Sequence, residues 1–331
     1  MIELYICLIL LNSIFYINLN RISKILNIYD VPDKKLKLHK KRTPLIGGPL
    51  LFLNLILILL FYLINDELII SFKLREIISF FLLICGFFIV GLYDDKYNLA
   101  PEKKIILTIT IIFFSIIFNS KLLINEFSLS FYDSRVFFDK FAYIFTIFCI
   151  LILTNSFNFY DGINGQSLIN FIFIFFLLFF LTNFNFFYLT IIFIFLFILF
   201  LNLSGKIFLG DSGIYLISAI ISILFIYEHN IIKTFKYADT IFYLACVPGF
   251  DLVRLTITRL LNNKNVFYGD RNHIHHLLIK KFSILKSNTI LIFLIALPSA
   301  MFFLLELSFF NIIIIFTIIY LVLVQYLLKN D

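Results

Sequence analysis

The chain has 331 residues, of which 62% are hydrophobic and 14% are charged, and its mean hydropathy is +1.03. These values exclude a water-soluble enzyme, a disordered chain and a disulfide-built secreted domain. An outer-membrane barrel is excluded as well, because the apolar segments are continuous and lack the alternation of lipid-facing strands. The composition therefore predicts an all-α, polytopic integral membrane protein with about 10–11 transmembrane helices.

Apolar segments long enough to cross a membrane follow one another along the chain. A helix of about 20 apolar residues crosses the hydrocarbon layer with all its backbone hydrogen bonds satisfied. We expect one transmembrane domain over residues 1–331, with a functional core at about 30–280 and a C-terminal helix pair at 288–328. The predicted spans are 1–19, 45–65, 77–93, 105–118, 141–157, 167–182, 187–203, 214–228, 238–257, 288–306 and 309–328.

The basic residues predict the orientation of these spans. Most of the 27 lysine and arginine residues lie in loops 20–44, 94–104, 204–213 and 258–287, which fall on one side if the spans alternate. By the positive-inside rule this side faces the cytoplasm, so the N-terminus lies outside. We therefore expect a multi-pass protein of the cytoplasmic (inner) membrane, whose basic face suits anionic lipids and phosphate ligands.

Polar residues with a chemical pattern are concentrated in the loops assigned to the cytoplasmic side. Taken singly, each motif has an ordinary explanation: paired acids cap helices, Gly-Asp-Ser-Gly forms turns, and polar residues spaced by three pack between helices. Their convergence on one membrane face instead favours an active site on that face. The residues concerned are Asp94, Asp95, Asn155, Asn158, Asp161, Asp211, Asp251, Asp270, Arg271, His273, His275 and His276.

The types of side chain in these motifs indicate the chemistry. Carboxylate and amide oxygens favour a hard cation, Mg²⁺ or Mn²⁺, whereas zinc is disfavoured because His275 and His276 are adjacent and no cysteine lies nearby. Arg271, the histidines and the basic run 34–42 offer donors for phosphate oxygens. We predict metal-assisted phosphoryl transfer at a membrane surface, with a lipid phosphate as acceptor.

Five motifs also resemble those of a known family in their order and spacing. They are DVPDKKLKLHKKRTPLIGG (Asp30–Gly48), the DDxxN of Asp94 to Asn98, NSFNFYDGINGQS, KIFLGDSG and DRNHIHH. This set is similar to that of the polyprenyl-phosphate N-acetylhexosamine-1-phosphate transferases, glycosyltransferase family 4. The DRxHxHH form looks like the undecaprenyl-phosphate N-acetylglucosamine-1-phosphate transferase branch, whereas the phospho-N-acetylmuramoyl-pentapeptide transferases carry three consecutive histidines.

The resemblance implies a reaction and a role for each matching residue. Polyprenyl phosphate would attack the β-phosphorus of a UDP-N-acetylhexosamine and release UMP, which begins the synthesis of a lipid-linked surface glycan. The implied catalytic residues are Asp94, Asp95 and Asp211, and the implied metal ligands are Asp211 and Asn158. The implied substrate-binding residues are Lys41, Thr43, Asn155, Asp161, Asn164, Phe208, Asp270, Arg271, His273, His275 and His276.

Two other functions remain open at this point. One is the phospho-N-acetylmuramoyl-pentapeptide transferase of peptidoglycan synthesis, and the other is a lipid-glycan transporter or polymerase. A transporter should carry ionisable residues near the bilayer midplane, whereas these acids gather at one face. The expected partners are UDP-N-acetylhexosamine, undecaprenyl or another polyprenyl phosphate and membrane lipids, without nucleic acid; a homodimer is left open, because no small-residue motif argues for one.

Overall fold

The computed structural model describes residues 2–32, 41–65, 73–265 and 272–329. Fourteen α-helices and two small antiparallel pairs of strands account for most of the described residues. The helices are α1 (Ile2–Ile17), α2 (Leu19–Leu26), α3 (Gly47–Ile64), α4 (Leu74–Tyr97), α5 (Pro101–Phe118), α6 (Ala142–Tyr160), α7 (Gln166–Leu181), α8 (Phe186–Leu203), α9 (Gly210–Tyr227), α10 (Asp239–Leu244), α11 (Cys246–Leu261), α12 (Ile274–Lys281), α13 (Ile284–Phe303) and α14 (Phe309–Leu328). The strands are β1 (Tyr29–Asp30), β2 (Thr43–Pro44), β3 (Glu126–Leu129) and β4 (Tyr132–Phe137).

Among the described residues, seven helical segments are long and apolar enough to cross a membrane, or eight if the bent pair α1–α2 forms one span. The predicted class, an all-α multi-pass membrane protein, is confirmed, and a helix lies at each predicted span. The predicted number of about 10–11 spans is higher than the structure supports. Helix α5 carries three charged residues in its first turn, and α7 has only 16 residues.

The span predicted at 238–257 is interrupted. Pro248 has no N–H and cannot donate to the carbonyl of Leu244, so one helix ends there and another begins at Cys246. This break separates α10 from α11, and neither half is long enough to cross a membrane by itself. The turn predicted at Glu306 is present between α13 and α14, where this residue has a φ of 50°.

The chain divides into two compact units, whose boundaries fall after Ser120, within α7 and within α9. Unit 1 comprises Met1–Ser120 and Leu178–Ile223. In this unit the side-chain amides of Asn12 on α1 and Asn54 on α3 donate to one another over 3.0 Å. The hydroxyl of Ser79 on α4 donates to the carbonyl of Ser115 on α5 over 2.8 Å. These bonds satisfy polar groups that would be costly inside an apolar core.

Unit 2 comprises Lys121–Leu177 and Leu224–Asp331. Its core contains buried residues from the end of α6 and from α11 to α14. The hairpin β3–β4 lies in the loop between α5 and α6, where the sequence predicted no strand, and Asp239 on α10 accepts hydrogen bonds from the N–H and hydroxyl of Ser130 at its turn. This contact fastens the hairpin to α10.

Candidate functional site

Three predicted acids of unit 1 form a cluster with one lysine, and we call Asp94, Asp95, Asp211 and Lys104 the acid cluster. Asp94 lies in the last turn of α4 and is buried, and its Oδ1 accepts the N–H of Leu99 over 2.7 Å. The Lys104 ammonium pairs with Oδ2 of Asp94 and lies 3.2 Å from Oδ2 of Asp211. One cation therefore bridges the carboxylates of two separate motifs.

Asp95 connects the same two motifs through the backbone. Its Oδ1 accepts the N–H of Asp211 over 2.7 Å, and its Oδ2 accepts the N–H of Ser212 over 3.0 Å. These N–H groups lie in the first turn of α9, where they have no partner within the helix, and a negative charge there is favourable. Asp95 therefore caps α9 from a neighbouring helix, while its predicted catalytic role stays a prediction.

The glycine that begins α9 makes this cap possible. Gly210 has a φ of 73°, which side chains other than glycine rarely adopt. A Cβ at this position would also lie 2.6 Å from Oδ2 of Asp95. The Gly-Asp-Ser-Gly motif thus marks a helix N-terminus that the aspartates of DDxxN hold in place.

The acid cluster suits a hard divalent cation. Asp211 presents a carboxylate that is 30% exposed and already has a cationic partner in Lys104. Within the described ranges no three side chains of His, Cys, Asp or Glu are grouped as a ready-made metal site. Mg²⁺ usually takes only one or two protein carboxylates and completes its shell with substrate phosphates and water, so these residues fit such an ion. Asn158 belongs to unit 2, and its role as a ligand stays a prediction.

The first loop lies beside the segment that precedes α9. The N–H of Phe208 donates to the carbonyl of Pro44 over 2.9 Å, and the N–H of Gly47 donates back to the carbonyl of Phe208 over 3.0 Å. Thr43 is buried, and its hydroxyl donates to the carbonyl of Lys41, whose own side chain is exposed. The structure thus brings Lys41, Thr43 and Phe208 into one part of unit 1; their contact with a nucleotide stays a prediction.

In unit 2 the DGING segment encloses a histidine of the HIHH segment. His275 is buried, and its Nδ1 lies 3.3 Å from Nε2 of Gln166. A Cβ on Gly162 would lie only 1.8 Å from Nε2 of His275, so the ring occupies space that only a glycine leaves free. Burial, with His276 and His273 nearby, holds the pKa of His275 well below its usual range. His275 is therefore neutral at neutral pH.

The other predicted residues of unit 2 lie around the end of α6. Asp161 is solvent-accessible, yet desolvation by the surrounding protein raises its pKa to about 6, although the Ser167 hydroxyl favours the charged form.

The amide of Asn155 donates to its own helix at Leu151. The main-chain carbonyl of Asn164 accepts the side-chain amide of Asn288 on α13 over 2.8 Å, and Asn158 is half-buried. Asp270 and Arg271 lie outside the described residues.

One buried acid was noted in the sequence but given no role. Asp251 on α11 is 2% exposed, and its carboxylate accepts hydrogen bonds from Arg254, His273, Tyr320 and the N–H of Ile274. The available signal was an acid inside an apolar segment three residues before an arginine. Periodicity could not show that its partners come from the HIHH segment and from the last helix.

Comparisons with known proteins match the part of the chain that contains the acid cluster. A family model described as glycosyl transferase family 4 matches residues 77–229, a range that contains all four members of the acid cluster. A Bacillus subtilis (strain 168) protein, named a probable undecaprenyl-phosphate N-acetylglucosaminyl 1-phosphate transferase, is 27% identical over 268 residues, covering 78% of this chain and 72% of its own length. The matched region covers somewhat less than half of the chain, and over this region the chain is similar to glycosyl transferase family 4.

Further relatives of this chain carry a similar name. Proteins named undecaprenyl-phosphate alpha-N-acetylglucosaminyl 1-phosphate transferase from Escherichia coli (strain K12) and Thermotoga maritima are 24% and 28% identical over 291 and 266 residues. The two alignments cover 83% and 80% of this chain, and 75% and 77% of the relatives. The similarity thus extends well beyond the acid cluster.

Proposed function

We propose that this protein is an enzyme of glycosyl transferase family 4 that transfers N-acetylglucosamine-1-phosphate from UDP-N-acetylglucosamine to undecaprenyl phosphate and releases UMP. The observation that carries the proposal is the Lys104 bridge between Asp94 and Asp211, which joins carboxylates and a cation at the ends of two membrane helices. The names of the relatives support both the sugar and the acceptor. The product would begin the synthesis of a lipid-linked cell-surface glycan.

In this reaction an oxygen of the lipid phosphate attacks the β-phosphorus of the donor. A new P–O bond forms, the bond between the β-phosphorus and the bridging oxygen breaks, and UMP leaves with that oxygen. The lipid phosphate is already ionised at neutral pH, so Asp94 and Lys104 serve to position it more than to remove a proton. Asp211 would hold Mg²⁺ or Mn²⁺, with Asn158 as the second ligand that the family resemblance implies, and the ion would neutralise charge on the diphosphate.

The remaining predicted residues bind the donor in this proposal. Lys41, Thr43 and Phe208 border the nucleotide. The diphosphate and sugar contact the histidines of the HIHH segment and, by family resemblance, the two residues before it, Asp270 and Arg271. Arginine suits this role because its fork of donors matches two phosphate oxygens at once.

The setting that we propose is the inner membrane of a bacterium. The N-terminus lies outside and the acid cluster at the cytoplasmic face, where the nucleotide donor is made, and the excess of basic residues in the loops on that side supports this orientation. A homodimer is compatible with the proposal but is not required by it.

The alternative substrate, a muramoyl-pentapeptide donor, and the alternative classes of protein, a transporter or a polymerase, are less favoured. Three consecutive histidines would be typical of the muramoyl-pentapeptide transferase, whereas this chain has His273-Ile274-His275-His276. The relatives that match over most of the chain are named as N-acetylglucosaminyl transferases. Neither a transporter nor a polymerase would require this cluster of acids at the ends of two membrane helices.

The test is a reconstituted reaction. Purified protein in detergent is incubated with undecaprenyl phosphate, MgCl₂ and a panel of UDP-sugars, and UMP release is followed together with the lipid product. UDP-N-acetylglucosamine should give UMP and a lipid-linked diphosphosugar. If no UDP-N-acetylhexosamine supports release, the proposed function is wrong.

The role of Asp211 can be tested in the same assay. Asp211→Asn keeps the side-chain volume but removes the charge, so we expect at least about a hundredfold loss of turnover at millimolar Mg²⁺. Asp133→Asn, at an exposed position of β4, is the matched control and should behave as the unchanged protein. Equal activity of the two variants would contradict a metal-binding role for Asp211.

A further inference from the structure

A second cluster of charged and polar side chains lies in unit 2, centred on the buried carboxylate of Asp251. Its Oδ1 accepts from Nη2 of Arg254 over 2.7 Å, from the Tyr320 hydroxyl over 2.8 Å and from the N–H of Ile274 over 3.2 Å. Its Oδ2 lies 2.9 Å from Nδ1 of His273. We call these four side chains, Asp251, Arg254, His273 and Tyr320, the Asp251 network.

The network joins three separate elements of the unit. Asp251 and Arg254 lie on α11, Tyr320 lies near the middle of α14, and His273 with Ile274 begins α12. Arg254 also donates to the main-chain carbonyl of Asn272, immediately before His273. Both the side chain of His273 and the backbone on either side of it are therefore held by one acid–arginine pair.

Burial of a charge in this position needs an explanation. A carboxylate removed from water is costly unless strong donors satisfy it, and replacing such a pair with apolar residues is often neutral for stability. Here four donors satisfy the carboxylate, three at Oδ1 and one at Oδ2. A contribution to stability is thus a weak explanation for the buried carboxylate of Asp251. Control of the orientation of His273 is a more specific explanation.

The geometry fixes which nitrogen of His273 is available. A carboxylate at Nδ1 keeps the proton on that nitrogen, so Nε2 faces the substrate with a lone pair, which can accept a hydrogen bond from a hydroxyl group or the amide N–H of the sugar. The plane of the ring is also restrained, because it stacks on His275 with centroids 5.4 Å apart and planes 12° apart, and it lies beside Phe159. Both the tautomer and the direction of the ring are therefore set before a ligand arrives.

We infer that Asp251 is a positioning residue that, together with Tyr320 of the C-terminal helix, orients His273 and the start of α12 to receive the N-acetylated sugar of the donor. This inference rests on the proposed function, in which the HIHH segment contacts the donor. It gives α14, which lies outside the motifs, a direct connection to the substrate-binding segment.

The first arm of the test measures the kinetics of Asp251→Asn and Tyr320→Phe. Asn offers an N–H toward Nδ1 of His273 and so favours the opposite tautomer, and we expect kcat/KM for the UDP-sugar to fall by about 10–100-fold. Tyr320→Phe removes one hydrogen bond and should cost about fivefold. The KM for undecaprenyl phosphate should change less than twofold in both variants, whereas general damage to the fold would affect both substrates.

Two substitutions serve as matched controls. Asp239→Asn alters another buried acid of the same unit, whose partner is Ser130, and Tyr326→Phe alters a second tyrosine of α14, outside the network. Both should leave the kinetics for the UDP-sugar unchanged. If Asp239→Asn reproduces the donor-specific loss of Asp251→Asn, the positioning role is wrong.

The second arm asks whether Asp251 acts through His273. In a double-mutant cycle, Asp251→Asn should cause little further loss in a protein that already carries His273→Ala, because the group it positions is gone. If the wild-type protein releases UMP but the losses of the two single variants add in the double variant, the inference is wrong and the proposed function stands. Absence of UMP release by the wild-type protein would overturn the proposed function, and the inference with it.

Discussion

At the scale of single residues, Lys104 has an unusual place because its ammonium lies between two carboxylates that would otherwise repel one another. We expect Lys104→Gln to lower kcat/KM at least about tenfold, since a hydrogen bond to a charged group contributes about 1.5–3 kcal/mol. The measurement is UMP release over a range of undecaprenyl phosphate concentrations. Lys103→Gln, at the exposed neighbouring lysine, is the control, and equal kinetics for both variants would argue against the bridge.

Gly210 offers a second prediction at the same scale. Gly210→Ala should lower the free energy of unfolding by about 2–4 kcal/mol, because the positive φ costs about 1 kcal/mol and the new Cβ displaces Asp95 from its cap. Gly205→Ala separates the two effects, since Gly205 has a φ of 67° but nothing within 4 Å of its Cβ position. Thermal unfolding in detergent should show a larger loss at Gly210, and equal losses would contradict the capping role of Asp95.

At the scale of elements, the motifs lie where helices begin and end. Asp94 and Asp95 end α4, Asp211 begins α9, and His273 precedes α12. Helix ends carry backbone groups that need partners, so a carboxylate there can cap one element and still present an oxygen to a ligand. This explains why several short polar motifs can build a site in a chain that is otherwise apolar.

The pH dependence of the melting temperature tests the raised pKa of Asp161, which lies in the loop between α6 and α7. Because the pKa of Asp161 is raised from 3.8 to about 6, the folded state binds this proton more tightly than the unfolded state does. The resulting stabilisation is fully present below about pH 4 and is lost as the pH rises through 6. Relative to Asp161→Asn, the wild-type melting temperature should therefore fall between pH 4.5 and pH 7; parallel curves would show that Asp161 has an ordinary pKa.

The same elements show how far the sequence could be interpreted. Continuous apolar segments predicted a helix at each span, because such segments are a local pattern. The motifs predicted that Asp94 and Asp211 lie at one face of the membrane, but not that Lys104 bridges them. The cap that Asp95 places on α9 and the bond from Tyr320 to Asp251 were not predictable, since they depend on how distant helices pack. The hairpin β3–β4 lacked a glycine at its turn, and so gave no strong signal.

At the scale of the whole molecule, the remaining question is which loops share a side of the membrane. The basic residues predict that residues 94–104 and 258–287 face the cytoplasm, whereas the hairpin β3–β4 faces outward. This orientation has a chemical consequence, because a UDP-sugar made in the cytoplasm could reach the acid cluster and the HIHH segment only if both open to that side.

Cysteine labelling tests the orientation in a background without the four native cysteines, Cys7, Cys85, Cys149 and Cys246. Single cysteines are placed at three exposed positions, Lys103→Cys, Asn262→Cys and Asp133→Cys. A membrane-impermeant maleimide should label only Asp133→Cys in intact spheroplasts, and all three after permeabilisation. Labelling of Lys103→Cys and Asn262→Cys from opposite sides would mean that the two substrate-binding segments cannot share one pool of donor, and the proposed reaction could not take place as described.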